Sequence, residues 1–167
     1  MIWSSVGIYA LVGFSVIISL IWRREKVRAC YFVFTYTIFT WFITVMKVAY
    51  EEARPFWVNE EILALKCADG YGNPSGHAIT GFGFSMLIML DSLSESNADS
   101  NTKYYVLTLL YGASLSISCI LLGVNTYNQI FFGSQIGLWL AFSCHYLLRD
   151  ALVDHLNKLF SLSDTQY

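Results

Sequence analysis

Two short groups of polar residues interrupt this otherwise apolar chain, and both suit the binding of a phosphate group. The first consists of Lys47 and, seven residues later, Arg54 followed by Pro55. Arg54 can hold two phosphate oxygens with its planar fork, and Lys47 can add a point charge. On a continuous helix this spacing puts both side chains on one face, so we expect a cationic stripe that ends at Pro55. The plain alternative is a pair of basic residues that reach towards water from a helix end.

The second group is the sequence Asn-Pro-Ser-Gly-His that begins at Asn73. Asn73 is a good N-cap and Pro74 is favoured at the first helical position, so we predict a helix start here. The main-chain N–H groups of Ser75, Gly76 and His77 would then point at an anion, which the helix dipole favours. Gly76 would let the anion come close, and His77 could donate a proton to a leaving oxygen. The alternative is an ordinary capped helix with a histidine at the membrane boundary.

The elements that must position these groups are membrane helices. Of the 167 residues, 56% are hydrophobic and 13% are charged, whereas soluble domains have about 25% charged residues. Residues 104–148 contain no Lys, Arg, Asp or Glu, which is enough for two spans of about 20 residues each. The N-terminal stretch lacks a basic start, so we expect a retained span and not a signal peptide. We predict one all-α domain over residues 1–167, a polytopic bundle with spans at about 1–22, 29–50, 74–92, 103–123 and 128–149.

Charge predicts the orientation of this bundle. Seven of the ten Lys and Arg residues lie in 23–28, 91–103 and 149–167, which the positive-inside rule assigns to the cytoplasm or an organelle matrix. The N-terminus and both polar groups would then lie on the outer side, and the C-terminus inside. The amphipathic tail, 150–167, suits a membrane surface or a partner, or it simply continues the last span. The plasma membrane, the endoplasmic reticulum and the mitochondrial inner membrane all fit this pattern.

The remaining composition excludes several classes of function. A net charge of −2 without a basic patch argues against nucleic acid as a partner. The four cysteines include no C-x-x-C pair, so neither a zinc site nor a disulfide framework is indicated. We therefore expect no metal and no cofactor.

The order Lys-x6-Arg-Pro, then Pro-Ser-Gly-His, resembles the first two motifs of the phosphatidic acid phosphatase type 2 superfamily, the haloperoxidase-related lipid phosphate phosphatases. The resemblance covers about residues 29–148. It implies a helical membrane bundle that acts on lipid phosphates through a phosphohistidine. The family core usually has six spans, so the five expected here imply a bundle shortened at its N-terminus.

The third motif of that family, Ser-Arg-x5-His-x3-Asp, is retained here only in its serine. In the register set by Ser118 and Gly133, the arginine falls on Cys119, the nucleophilic histidine on Asn125 and its orienting aspartate on Gln129. An asparagine amide is a poor nucleophile, and glutamine cannot stabilise a cation as a carboxylate does. Cys119 also removes one cationic contact with the phosphate.

The resemblance therefore implies a site that has lost its intact catalytic set. We predict an inactive member that serves as a structural or accessory subunit of a membrane protein complex, with other subunits and membrane lipids, including anionic phospholipid, as partners. The alternatives are a lipid phosphate or pyrophosphate phosphatase with residual or altered activity, and a purely structural helical hairpin at the third motif. The vestigial catalytic residues would be His77, Asn125, Gln129 and Cys119, and the phosphate or lipid contacts would be Lys47, Arg54, Ser75, Gly76, His77 and Ser118.

Overall fold

The chain is built from helices that lie along one bundle. The computed structural model describes residues 26–62, 65, 68–96 and 102–164, and this part of the chain contains no strand. The helices are α1 (Lys26–Tyr50), α2 (Pro55–Val58), α3 (Gly76–Ala78), α4 (Ser85–Ser96), α5 (Thr102–Leu121), α6 (Tyr127–Ser143) and α7 (Arg149–Asp164). Two π-helical segments, Ile79–Phe84 and Cys144–Leu148, join α3 to α4 and α6 to α7. They produce two continuous helices, here named the central helix (residues 76–96) and the C-terminal helix (residues 127–164).

Three stretches of the described chain are long and apolar enough to cross a membrane: Lys26–Val58, Thr102–Leu121 and Tyr127–Ser161. They leave large apolar side chains such as Trp41 and Leu121 exposed on the outside of the bundle, as lipid-facing helices do. The predicted all-α membrane bundle is thus confirmed. The span expected at 74–92 corresponds to the buried central helix, and the span expected at 1–22 lies outside the described residues.

Phe84 anchors the central helix against α1. Its ring meets the rings of Phe32, Tyr36 and Phe39 edge to face, with centroids 6.2, 5.4 and 6.0 Å away. Such aromatic contacts add about 0.5–1.5 kcal/mol each to the burial of apolar surface. Because the three partners lie on about two successive turns of α1, Phe84 fixes the central helix against that part of α1.

Gly133 brings α6 against the chain that precedes the central helix. A Cβ atom at this position would lie 2.8 Å from the carbonyl oxygen of Ser75, a separation that real side chains essentially never show. Only glycine therefore allows the start of α6 to approach this backbone. As a result, the two polar groups of the sequence and the 122–126 turn meet at the same end of the bundle.

Asp91 closes the opposite end of the bundle. Its side chain is 1% exposed, and its two oxygens accept from the Nε atoms of Arg28, at the start of α1, and Arg149, at the start of α7. Asp91 lies 14 residues beyond His77 on the central helix, which corresponds to about 21 Å at the usual rise. The ion pairs therefore hold three helices together far from the candidate site. The C-terminal helix runs unbroken through 127–164, so the tail continues the last span and packs on α1.

Candidate functional site

The candidate site begins where α1 ends. Glu51 has a positive φ of 46°, and its N–H donates to the Lys47 carbonyl at 3.1 Å. The chain then leaves the helix, so that Arg54 is extended, with φ −77° and ψ 155°, and Pro55 opens the short α2. The prediction that Lys47 and Arg54 share one helical stripe is therefore wrong. The physical reason is the left-handed residue at position 51, which stops the helix one turn before the arginine.

Arg54 is almost completely buried, and each nitrogen of its guanidinium donates to a main-chain carbonyl. Nε donates to Gly70 O at 2.7 Å, Nη1 to Val124 O at 2.8 Å and Nη2 to Asp69 O at 3.1 Å. These bonds tie the segment after α1 to two loops that are distant in sequence. The fork that sequence reasoning assigned to a phosphate is thus engaged in holding loops together at this end of the bundle.

Asn125 lies in the 122–126 turn, buried among polar partners. Its Nδ2 donates to Gly72 O at 2.9 Å and to Gln129 Oε1 at 3.0 Å, and its Oδ1 accepts from the Ser75 hydroxyl at 3.3 Å. Both amide hydrogens and the amide oxygen are therefore satisfied. The turn is joined in this way to the start of the central helix and to α6.

Gln129 completes this arrangement and is fully buried. Its Nε2 donates to Glu52 Oε1 and to Ala53 O, both at 3.0 Å. Its Oε1 accepts from Asn125 Nδ2 at 3.0 Å and from Thr126 N at 3.2 Å. We name the hydrogen-bonded set of Ser75, Asn125, Gln129 and Glu52 the amide network. The amide of Gln129 can be oriented only one way, because the Glu52 carboxylate and a carbonyl only accept whereas a main-chain N–H only donates.

The central helix starts two residues later than predicted. Its N-cap is Ser75, whose hydroxyl accepts from Ala78 N at 3.5 Å and whose own N–H donates to Gln129 O at 3.1 Å. Asn73 does not cap the helix, and its Oδ1 is buried without a hydrogen-bond partner among the described residues. Pro74 precedes the cap, so its assignment to the first helical position is also wrong. The N–H of Ser75, which was expected to face an anion, is bonded to protein instead.

The remaining predicted site residues lie on three different helices. Lys47 is half-buried in the last turn of α1, and His77 is half-buried in the first turn of the central helix. Cys119 is fully buried in α5. The hydroxyl of Ser118 donates to Leu115 O at 2.6 Å within its own helix. A phosphate contact from Ser118 therefore stays a prediction, and the observed bond is an ordinary helical one.

Sequence reasoning missed three residues that shape this site. Thr126 forms a reciprocal capping box with Gln129, and the pattern Thr-x-x-Gln is a known signal for it. Gly72 lets the chain pass the Gln129 amide, since a Cβ there would lie 2.6 Å from both amide heteroatoms. Glu52 joins the network from the segment after α1, and nothing in the local sequence indicates that role.

Comparison with known proteins supports the helical membrane fold. The sequence profile of the PAP2 superfamily matches residues 28–152, well over half of the chain. No curated protein sequence matches the chain significantly. In fold, the chain is similar to the first transmembrane PAP2 type phosphatidylglycerolphosphate phosphatase from Bacillus subtilis, known from a crystal structure, with a TM-score of 0.64 and 18% sequence identity. That similarity covers 90% of this chain and 68% of the bacterial one, and it supports a transmembrane helical bundle of the same kind.

Proposed function

Because the chain belongs to the PAP2 superfamily of membrane proteins, we propose that it is a non-catalytic member. In this proposal the amide network occupies the place where the family's third motif carries out phosphoryl transfer. The observation that carries it is the closed hydrogen bonding of Asn125 and Gln129, whose four amide heteroatoms all have protein partners. The contact between Ser75 and Asn125 supports the register in which Asn125 stands for the nucleophilic histidine.

The chemistry of these two amides does not suit phosphoryl transfer. A nucleophile at position 125 would need a free lone pair directed at phosphorus. The nitrogen of Asn125 has its lone pair delocalised into the amide, and both its hydrogens are donated to Gly72 O and Gln129 Oε1. Gln129 is neutral, so it cannot stabilise a positive charge on a neighbour as the aspartate of a catalytic pair does. A phosphohistidine mechanism would therefore lack both its nucleophile, at position 125, and the carboxylate that stabilises the charged nucleophile, at position 129.

The environment of Arg54 supports the same conclusion. A phosphate clamp needs guanidinium hydrogens directed into an accessible space. Here three of the five guanidinium N–H groups donate to the carbonyls of Asp69, Gly70 and Val124, and the residue is only 5% exposed. We infer that Arg54 has been retained because it holds the loops in place.

The role that remains is that of a structural or accessory subunit in the membrane. A folded bundle without its own chemistry can still present lipid-facing helices to other membrane proteins and contact lipid headgroups. Lys47, half-buried at the outer end of α1, is the residue that we assign to an anionic headgroup, where it acts as a point charge. This part of the proposal explains why a bundle of this family would be kept when its reaction is lost.

Phosphate release by the purified protein tests the loss of catalysis. The substrates are phosphatidate, lysophosphatidate, phosphatidylglycerolphosphate and a prenyl pyrophosphate, and we expect no release above the protein-free background. A catalytically competent PAP2 phosphatase in the same detergent is the positive control. Turnover that disappears in the His77→Ala variant would refute the non-catalytic proposal and favour a phosphatase with altered chemistry.

Purification in a mild detergent tests the subunit role. We expect the tagged chain to bring down other membrane proteins in fixed stoichiometry, identified by mass spectrometry. A monodisperse lone monomer under conditions that preserve known membrane complexes would contradict this role.

A further inference from the structure

We propose that Glu52 is a positioning residue of the amide network: its carboxylate fixes the Gln129 amide and makes position 129 unsuitable for the carboxylate of the third motif. This inference rests on the proposed function, because it explains how the loss of the catalytic pair is maintained by the surrounding structure. It concerns one of the six unspecified positions of the first motif, Lys-x6-Arg-Pro, in the segment between α1 and α2.

Glu52 is held from two sides. Its Oε1 accepts from Gln129 Nε2 at 3.0 Å, and its Oε2 accepts from Asn73 Nδ2 at 2.7 Å. Its main-chain carbonyl also accepts from Gly72 N at 2.8 Å. The carboxylate is therefore fixed in position between the start of α6 and the loop before the central helix, and both oxygens face neutral amide donors.

A carboxylate at position 129 would meet the wrong partners. The Nε2 atom of Gln129 is surrounded by two groups that only accept hydrogen bonds, Glu52 Oε1 and Ala53 O, both at 3.0 Å. An acidic oxygen at that point would face a second carboxylate and a carbonyl at the same separation, on a side chain that is fully buried, although Glu52 itself reaches water. Two carboxylates this close cannot both be ionised without a rise in the pKa of one of them.

The other charged or titratable groups around this end of the bundle do not change that conclusion. They are Lys47 and Glu51 at the end of α1, Arg54, Asp69 and Tyr71 in the adjoining loops, and His77 on the central helix. The guanidinium of Arg54 is directed at main-chain carbonyls. Among the described residues, Glu52 is the charged group that hydrogen-bonds the side chain at position 129.

The consequence is that the third motif cannot be restored one residue at a time. An aspartate or glutamate at position 129 requires a compensating change at Glu52. Glu52→Gln supplies that change, because an amide at position 52 can donate to an acid at position 129. The donor and the acceptor of this hydrogen bond then change places.

The test is the thermal stability of four purified proteins in detergent: wild type, Gln129→Glu, Glu52→Gln and the double variant Glu52→Gln/Gln129→Glu. Glutamate has the shape of glutamine, so Gln129→Glu changes charge with little change in volume. We expect its Tm to fall below that of the wild type by about 4 °C or more at pH 8. The double variant should regain at least half of that loss. The recovery should be incomplete, because the carbonyl of Ala53 still faces the new acid.

The pH dependence separates this role from a general packing role. The folded-state pKa of the acid pair is raised above the unfolded value of about 4.3. The Gln129→Glu protein therefore keeps its stability below that value and loses stability as pH rises through the folded pKa. The Tm difference between Gln129→Glu and wild type should be small near pH 4.5 and grow towards pH 8. The two proteins are compared at each pH, so that the effects of pH common to both cancel.

Asn128→Asp is the control, an exposed amide-to-acid change on the same helical turn. It should leave Tm unchanged or raise it slightly.

Three results would overturn the proposal: a Gln129→Glu protein as stable as wild type at pH 8, a loss of Tm that does not vary with pH, or a double variant no better than Gln129→Glu. If Gln129→Glu cannot be purified at pH 8, the yield of monodisperse protein is compared with that of the double variant, which must be higher. Phosphate release by the wild-type protein would refute the proposed function and leave these Tm results unaffected, so the two failures are distinguishable.

Discussion

The Ser75 hydroxyl and the Asn125 amide oxygen lie 3.3 Å apart in a buried hydrogen bond that joins the start of the central helix to the turn before α6. The two residues are separated by 50 positions in the chain. Each belongs to a segment that the sequence relates to a different motif of the PAP2 superfamily. The two segments thus meet in the structure, and the contact joins two uncharged groups.

Replacement of Asn125 by alanine should destabilise the protein. It leaves Gly72 O, the Gln129 Oε1 atom and the Ser75 hydroxyl without one partner each, in a buried site. A buried polar group left unsatisfied costs about 1–3 kcal/mol, so we expect a loss in that range at the least, measured by thermal or denaturant unfolding in detergent. Asn128→Ala, an exposed position in the first turn of α6, is the matched control and should change little. Equal stability of the two variants would contradict the closed network.

Gly72→Ala should disturb the amide network more than Gly70→Ala does. A Cβ at position 72 would lie 2.6 Å from both heteroatoms of the Gln129 amide, whereas a Cβ at position 70 meets nothing within 4 Å. Overpacking of this kind costs about 1–3 kcal/mol. The control is not free of strain, because Gly70 has a φ of +69°, which costs an alanine about 1–2 kcal/mol. The informative measurement is therefore hydrogen exchange at Asn125 and Gln129, which should increase in Gly72→Ala and stay at the wild-type rate in Gly70→Ala.

Asp91→Asn should loosen the end of the bundle that lies opposite the site. The change removes the charge that two arginine Nε atoms share, while both arginines remain. Breaking a buried ion pair costs about 3–5 kcal/mol, and we expect about 2 kcal/mol here because both arginines keep some contact with water. Asp150→Asn is the control, since that side chain is 91% exposed and its contact with Arg149 Nη1 is longer, at 3.4 Å. A Tm that falls equally in the two variants would show that Asp91 has no special role.

Lys47→Gln should weaken the retention of phosphatidate by the purified protein. The ammonium group contributes a point charge in the last turn of α1, and glutamine keeps most of the side-chain length without that charge. Nanodiscs that contain phosphatidate, compared with phosphatidylcholine alone, measure the effect by lipid mass spectrometry. Lys103→Gln is the control, because Lys103 lies over the Tyr104 ring at the start of α5. Loss of phosphatidate in both variants alike would indicate a general charge effect.

The fold could be predicted from the sequence because the hydrophobic pattern records it directly. Uncharged runs in a chain with 13% charged residues leave few arrangements other than a membrane bundle. The helix start at residues 73–77 was also visible, although the cap is Ser75 because Asn73 turns towards Glu52 instead. Local propensity does not include that distant partner, so it misplaced the boundary by two residues.

The site itself could be predicted only in part. The spacing of Lys47 and Arg54 indicated one helical face, but Glu51 adopts a positive φ and separates them. A non-glycine residue in that conformation has no reliable local signal, because surrounding contacts impose it. The role of Glu52 depends in the same way on Gln129, which follows it by 77 positions. Contacts of this kind are properties of the assembled bundle and are absent from any short window of sequence.

The π-helical segment Cys144–Leu148 lets the C-terminal helix hold one residue more than a regular α-helix with the same number of turns. Because the wider turn absorbs that residue, the chain on either side keeps the faces that it would have in a shorter α-helix. Removal of a single residue within this segment would therefore let the helix become regular and leave Arg149 directed at Asp91. If the same residues were instead wound as a regular α-helix, every residue beyond the segment would turn by about 100° around the axis, and Arg149 would leave Asp91. The wide turn thus sets the rotation of the whole tail.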